Sequence, residues 1–300
     1  MVIPETQLET WSHQGAVATS KATQESIKIA LDQYKGYPEN IDYEVYLQGS
    51  YRNSTNIRGD SDVDVIVELK SSFYGDTSTL PSNESSLYKS IYPDATYKWQ
   101  NFRSNVLSAL QDYYGNSVIK EGRKSLKVGN PTGSRLPADV VVCMQYRKYL
   151  EFPNFRDQKY VEGVQFYVPS ENRWIISYPK LHYENGVKKH SPSATNGWYK
   201  PAVRIFKNAR SYLIDHDKIS SDVAPSHFLE GLIYNVPNDK FGTSYQNTFY
   251  NILKWACNVD YSQIVCQNEQ LPLFGHTPEQ WSEANAHQLI SSLISLWNDW

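Results

Sequence analysis

Apolar and polar residues alternate most sharply at "DVDVIVEL" (Asp62 to Leu69), where Val63, Val65, Val67 and Leu69 take every second place. Side chains alternate faces along a strand, so these four form a core face while Asp62, Asp64, Ile66 and Glu68 point the other way. "YEVYLQGS" (Tyr43 to Ser50) predicts a strand ahead of it, joined by a polar loop containing Asn53, Ser54, Asn56 and Gly59. Helical spacing governs "ATSKATQESIKIALDQY", which gathers Ile27, Ile29, Ala30 and Leu31, and "YKWQNFRSNVLSALQDYYG", with Trp99, Phe102, Val106 and Leu110. "SVIKEGRKSLKV", "ADVVVCMQ", "VEGVQFYV" and "RWIISY" read as further strands. The stretch "ENGVKKHSPSATNG" (Glu184 to Gly197) is a shift to Gly, Ser, Asn and Lys, and only helical patterns follow it, from "KPAVRIFKNARSYLIDH" to "EQWSEANAHQLISSLISLW". This order predicts an α+β fold, with a mixed lobe over residues 1–193 and a helical lobe over residues 194–300.

Composition narrows the function classes. The 300 residues suffice for a real core, and 40% apolar with 20% charged residues is ordinary for a globular protein. No window approaches the roughly 18 consecutive apolar residues of a membrane span, and the N-terminus shows no basic start followed by an apolar stretch. A cytoplasmic location without membrane partners is therefore expected. Cys143, Cys257 and Cys266 lack C-x-x-C spacing, which argues for buried thiols over a disulfide framework or a zinc ribbon. A net charge of -3 supplies no general field for a polyanion, although small nucleotides carrying their own magnesium stay compatible with it. The run "KEGRKSLK" (Lys120 to Lys127) reads as the solvated face of a strand, and His182, His190 and His216 have no metal-ligand spacing.

The chemistry lies at the paired aspartates. Asp62 and Asp64 on one strand face repel each other unless a cation sits between them. Magnesium suits such a pair, because it takes one or two protein carboxylates and completes its shell with phosphate oxygens and water. Asp139 heads the apolar run "ADVVVCMQ" and supplies a third carboxylate at a strand end. Ahead of the pair stands Gly49-Ser50, where glycine permits close backbone approach to a phosphate and the serine hydroxyl can bind its oxygens.

Strand, G-S, about a dozen residues and then D-x-D resembles the nucleotidyltransferase superfamily of DNA polymerase beta. The wording "GSYRNSTNIRGDSDVDVIVEL", with "GWYKPAVRIFKNAR" and "PSHFLEGLIYNVP", resembles one branch of it, the CD-NTases, bacterial cyclic-oligonucleotide synthases related to cyclic GMP-AMP synthase and oligoadenylate synthetase. The resemblance implies a polymerase beta-like core with a mixed sheet, packed against a C-terminal helical domain, with the active site in the cleft between them. It implies that Asp62, Asp64 and Asp139 bind two Mg2+ ions, with Mn2+ able to substitute, and that Gly49, Ser50 and Lys207 contact the triphosphate. Ser226 matches a serine of the same site, and His227 stands where relatives carry a base-stacking tyrosine. Lys207 shares a helix face with Arg204 and Ser211, a stripe that faces a cleft or solvent. The implied activity is template-independent joining of nucleoside triphosphates, ATP among them and the second base open, into a cyclic di- or trinucleotide for antiphage signalling through a downstream effector. No zinc-binding insertion is visible, so no direct DNA or RNA template is expected. Alternatives are nucleotide transfer onto a protein or an RNA end, and a catalytically inactive nucleotide-binding regulatory module.

Overall fold

The computed structural model describes residues 2–15, 18–57, 62–130, 133 and 135–300. Gly59, expected in the polar loop before Asp62, lies outside the described residues. The chain divides into two compact units, one of Val17–Tyr51 and Ser61–Pro179 and the other of Met1–Ala16, Arg52–Asp60 and Lys180–Trp300. The expected division between residues 193 and 194 differs from this one. The stretch whose composition shift set the expected boundary begins inside a helix, α6 (Pro179–His190), in which Asn185 and Gly186 are buried. Asn185 Nδ2 donates to the Gln267 carbonyl at 2.9 Å, and a Cβ on Gly186 would meet Gln267 Nε2 at 2.5 Å, so residues typical of loops serve close helix packing here.

The first unit is built on seven strands: β1 (Tyr43–Leu47), β2 (Val63–Asp76), β3 (Ile119–Glu121), β4 (Leu126–Val128), β5 (Ala138–Glu151), β6 (Lys159–Val168) and β7 (Arg173–Ser177). Among the described residues they form one sheet in the order β1-β2-β5-β4-β3, and β6 and β7 extend it from β5. β2 and β5 run parallel and every other pairing is antiparallel, so the sheet is mixed as expected. Val63, Val65, Val67 and Leu69 are fully buried, as the alternation predicts. They share a core with Ile27 and Leu31 of α2 (Ala18–Gln33) and with Phe102, Val106 and Leu110 of α5 (Trp99–Tyr114).

Three local readings change. "YEVYLQGS" is a strand only to Leu47, and Gly49-Ser50 open a short helix, α3 (Gly49–Asn53). "SVIKEGRKSLKV" is a hairpin, closed where Gly122 N–H donates to the Ser125 carbonyl at 2.8 Å. The second face of β2 closes over quickly: Ile66 and Glu68 are buried too, and Tyr46 Oη donates to Glu68 Oε2 at 2.9 Å.

The second unit is helical. It comprises α1 (Glu5–Ser12), α6, α7 (Tyr199–Asp215), α8 (Ser226–Asn235), α9 (Tyr245–Ala256) and α10 (Glu283–Asp299), around Leu8, Val203, Phe206, Leu229, Phe249 and Leu289. The Glu5 carboxylate accepts from the backbone N–H groups of Tyr245 and Gln246 at 2.7 and 2.8 Å, which fastens α1 to the start of α9. Among the described residues no helix is long and apolar enough to cross a membrane.

Candidate active site

Parallel pairing of β2 with β5 sets Asp64 directly beside Asp139. Partners in register share a sheet face, and adjacent strands lie about 4.8 Å apart, so the third carboxylate joins the D-x-D pair through backbone pairing alone. Asp62, one residue ahead of β2, is exposed, Asp64 is half-buried, and the Asp139 side chain is 28% exposed. The valines between and beyond them hold the strands in the core, so the carboxylates project from a rigid base. Among the described residues no three His, Cys, Asp or Glu groups converge as closely as a metal cage requires. Register, rather than a preformed cluster, is what joins Asp64 to Asp139.

The Gly49 turn is fitted against this edge. Gln48 N–H donates to the Asp64 carbonyl at 2.9 Å, and the chain then turns at Gly49 with φ +65°, a conformation that glycine enters without penalty. A Cβ at Gly49 would lie 2.3 Å from Asp64 Oδ2, so the carboxylate occupies the volume that any other residue would fill. Ser50 follows, half-buried. Carboxylate oxygens from two strands beside a bare backbone turn form a hard-oxygen donor set, and these residues fit a divalent cation with bound phosphate. On the far side of the pair Lys127 Nζ stands 3.9 Å from Asp139 Oδ1.

Lys207, Ser226 and His227 belong to the helical unit. Of the two settings open to its stripe, cleft or solvent, solvent does not hold for Lys207: it is 1% exposed, and Nζ donates to the Thr55 carbonyl at 2.9 Å. It is one of three charged side chains fixed on the last residue of α3 and the two that follow it. Arg204 Nη1 donates to the Ser54 carbonyl, and Glu230 Oε1 and Oε2 accept from Asn53 Nδ2 and Thr55 Oγ1, both at 3.0 Å. His182 Nε2 lies 3.4 Å from Glu230 Oε1. Burial pushes the Glu230 carboxyl up, but His182, Lys207 and the Thr55 hydroxyl outweigh it and hold the group below the usual glutamate range. Ser226 Oγ accepts from Arg210 Nη1 at 2.9 Å, and the exposed His227 ring sits 3.8 Å from that of Phe228.

Glu230, Asn53, Thr55 and Lys127 were not read as site residues from the sequence. For Glu230 a signal existed: a charge inside "FLEGLI" has no solvated helix face to occupy and so calls for buried partners.

Comparison with known proteins follows the same lines. The nucleotidyltransferase domain family matches residues 25–158, and the cGAS/DncV-like nucleotidyltransferase C-terminal helical domain family matches residues 184–298. The chain is 52% identical to the cyclic UMP-AMP synthase of Rhodothermus marinus, covering 100% of this chain and 99% of that protein. It is 39% identical to the cyclic nucleotide synthase CdnE01 of Staphylococcus haemolyticus, over the full length of both. A solved structure of the Rhodothermus marinus CdnE c-UMP-AMP synthase with Apcpp and Upnpp superimposes with a TM-score of 0.90 at 51% identity, over 99% of this chain and 97% of that one. The CdnE cyclic dinucleotide synthase of Elizabethkingia meningoseptica, solved with GTP and Apcpp, gives a TM-score of 0.73 at 27% identity, over 99% and 98%.

Proposed function

Because the chain belongs to the CD-NTase family of nucleotidyltransferases, we propose that it joins nucleoside triphosphates, without a template, into a cyclic dinucleotide and releases pyrophosphate. The observation that carries this reading is the register of Asp64 with Asp139, reinforced by the Gly49 turn against Asp64. Adenine and uracil nucleotides are the proposed pair, supported by the 52% identity with the Rhodothermus marinus cyclic UMP-AMP synthase. A downstream effector that binds the cyclic product, within antiphage signalling, completes the proposal.

Asp62, Asp64 and Asp139 are the residues that would hold magnesium. When bound, magnesium supplies charge neutralisation at the reacting phosphate and acidifies the attacking hydroxyl. The protein's own part is positional. The Gly49 turn leaves room for the Asp64 carboxylate, and the Ser50 hydroxyl beside it donates to a phosphate oxygen, which aligns the bond that breaks. Asp139, beside the side from which the acceptor enters, orients the ribose hydroxyl and accepts its proton at a carboxylate oxygen. The hydroxyl oxygen bonds to the α-phosphorus, and pyrophosphate leaves with the electron pair of the broken P–O bond. Lys207 is proposed to hold the chain at Thr55, and the triphosphate contact that the family resemblance implies would compete with that bond.

The deciding experiment incubates the purified protein with ATP, UTP and MgCl2, treats the mixture with phosphatase, and identifies what remains by mass spectrometry. A phosphatase-resistant product with the mass of a cyclic dinucleotide is expected. Label transferred only to a protein or RNA, or nucleotides returned unchanged, overturns the proposal.

A further inference from the structure

The register beside the carboxylates continues past them. Asp139 of β5 pairs with Lys127 of β4, and Lys127 pairs with Lys120 of β3. Directly opposed residues lie on one sheet face. The lateral order across four strands is therefore Asp64, Asp139, Lys127, Lys120. Leu126 and Val128, which flank Lys127, are each 1% exposed, while Lys127 is 57% exposed, so β4 turns its apolar residues inward and its lysine outward.

Opposed like charges weaken a strand pair, and of the neighbouring carboxylates only Asp139 offsets this one among the described residues. Glu121 is engaged by Arg103 at 2.8 Å, and Glu171 by Arg123 and Arg173. Lys120 makes no ion pair among the described residues, and Lys127 has Asp139 at 3.9 Å. Lys127 thus stands between a carboxylate at the long end of ion-pair distance and an ammonium group opposed to it on the next strand.

In an in-line displacement the attacking hydroxyl and the departing pyrophosphate lie on opposite sides of the phosphorus. Gly49 and Ser50 adjoin Asp64 from the β1 side, which assigns the departing triphosphate to that side. The acceptor then arrives from the β4 side. We propose that Lys127 and Lys120 form an anion-binding strip for the 5′-phosphates of the acceptor nucleotide, placing its ribose hydroxyl beside Asp139. This rests on the nucleotidyl-transfer reading and adds to it two residues that position the phosphates of the acceptor.

The test compares wild type with Lys120→Gln, Lys127→Gln, the double variant and Lys127→Arg, using acceptors with and without 5′-phosphates. For the double variant the KM of a triphosphate acceptor is expected to rise about tenfold or more, with kcat nearly unchanged, because charge-assisted contacts of this kind contribute at least that much. Use of a nucleoside acceptor should not change, and Lys127→Arg should stay near wild type. Calorimetric titration with a non-hydrolysable nucleoside triphosphate reads the same subsite without turnover: two molecules per wild-type chain, and one at the same concentrations for the double variant. Equal acceptor KM values and unchanged stoichiometry would overturn the proposal, as would a loss that falls equally on nucleoside acceptors. If wild type forms no nucleotide product, the parent reading fails, while the titration still decides whether the lysines bind phosphate.

Discussion

Asp64 is constrained from three directions: its carbonyl accepts from Gln48 N–H, Gly49 closes over its carboxylate, and Asp139 stands in register beside it. Like charges directly opposed in a sheet destabilise it by about 0.2–1 kcal/mol, so without a divalent ion the pair is a local liability. Asp64→Asn should therefore abolish product formation yet leave the metal-free protein as stable as wild type or slightly more so. Thermal unfolding with and without MgCl2 checks this: the ion should raise the wild-type Tm and leave that of Asp64→Asn unmoved. A variant that unfolds earlier than wild type in chelator would show that the carboxylate serves the fold and not the metal.

At the level of elements, α7 and α8 act together on the last residue of α3 and the two that follow it. Arg204, Lys207 and Glu230 hold Asn53, Ser54 and Thr55 by side chain and backbone. Lys207→Met removes a buried charge-assisted bond and leaves the Thr55 carbonyl short of a donor, at a cost of about 1–3 kcal/mol. Its Tm should fall in the absence of any nucleotide, which a lysine that only touches substrate would not produce. Glu230 is held below the usual glutamate range, so its contribution to stability is complete above the ordinary glutamate value of 4.5 and fades as pH falls through the lowered one. Glu230→Gln should lower stability at neutral pH and flatten the acid side of the stability profile, measured by denaturant titration from neutrality downward. Sequence distance explains why the partners of neither residue were legible in advance. Lys207 and Glu230 meet partners 152, 177 and 175 residues away, and a helical wheel carries no record of contacts that distant. α4 (Ser82–Ile91) escaped for the opposite reason, since none of its residues is buried.

Across the whole molecule the informative quantity is what the charge does not provide. A net charge of -3 offers no broad field to draw in a nucleic acid. Product formation should accordingly be indifferent to added duplex DNA or RNA at constant free magnesium, and a multi-fold stimulation by either would show that the surface holds a patch with a regulatory role. The fold class and the valine face of β2 were readable from the chain, because strand alternation is local, whereas the register of Asp64 with Asp139 emerges only from the sheet. The hairpin at Lys120–Lys127 was readable in part: its solvated face was evident, whereas the turn at Gly122 and the pairing that brings Lys127 to Asp139 emerge only from the sheet. The division at Pro179 was obscured by Asn185 and Gly186, whose loop-like chemistry serves packing inside α6.

The side-by-side order of the strands also bears on how such a protein can diverge. The residues proposed to handle the leaving group come from one stretch of chain, Tyr43–Asp76, and those proposed to receive the incoming nucleotide from another, Ile119–Glu151. Drift, insertion or recombination in the later stretch can retune one partner while the earlier stretch stays untouched. Exchanging that segment among relatives is thus a direct way to transplant affinity for the phosphates of the incoming nucleotide independently of the leaving group.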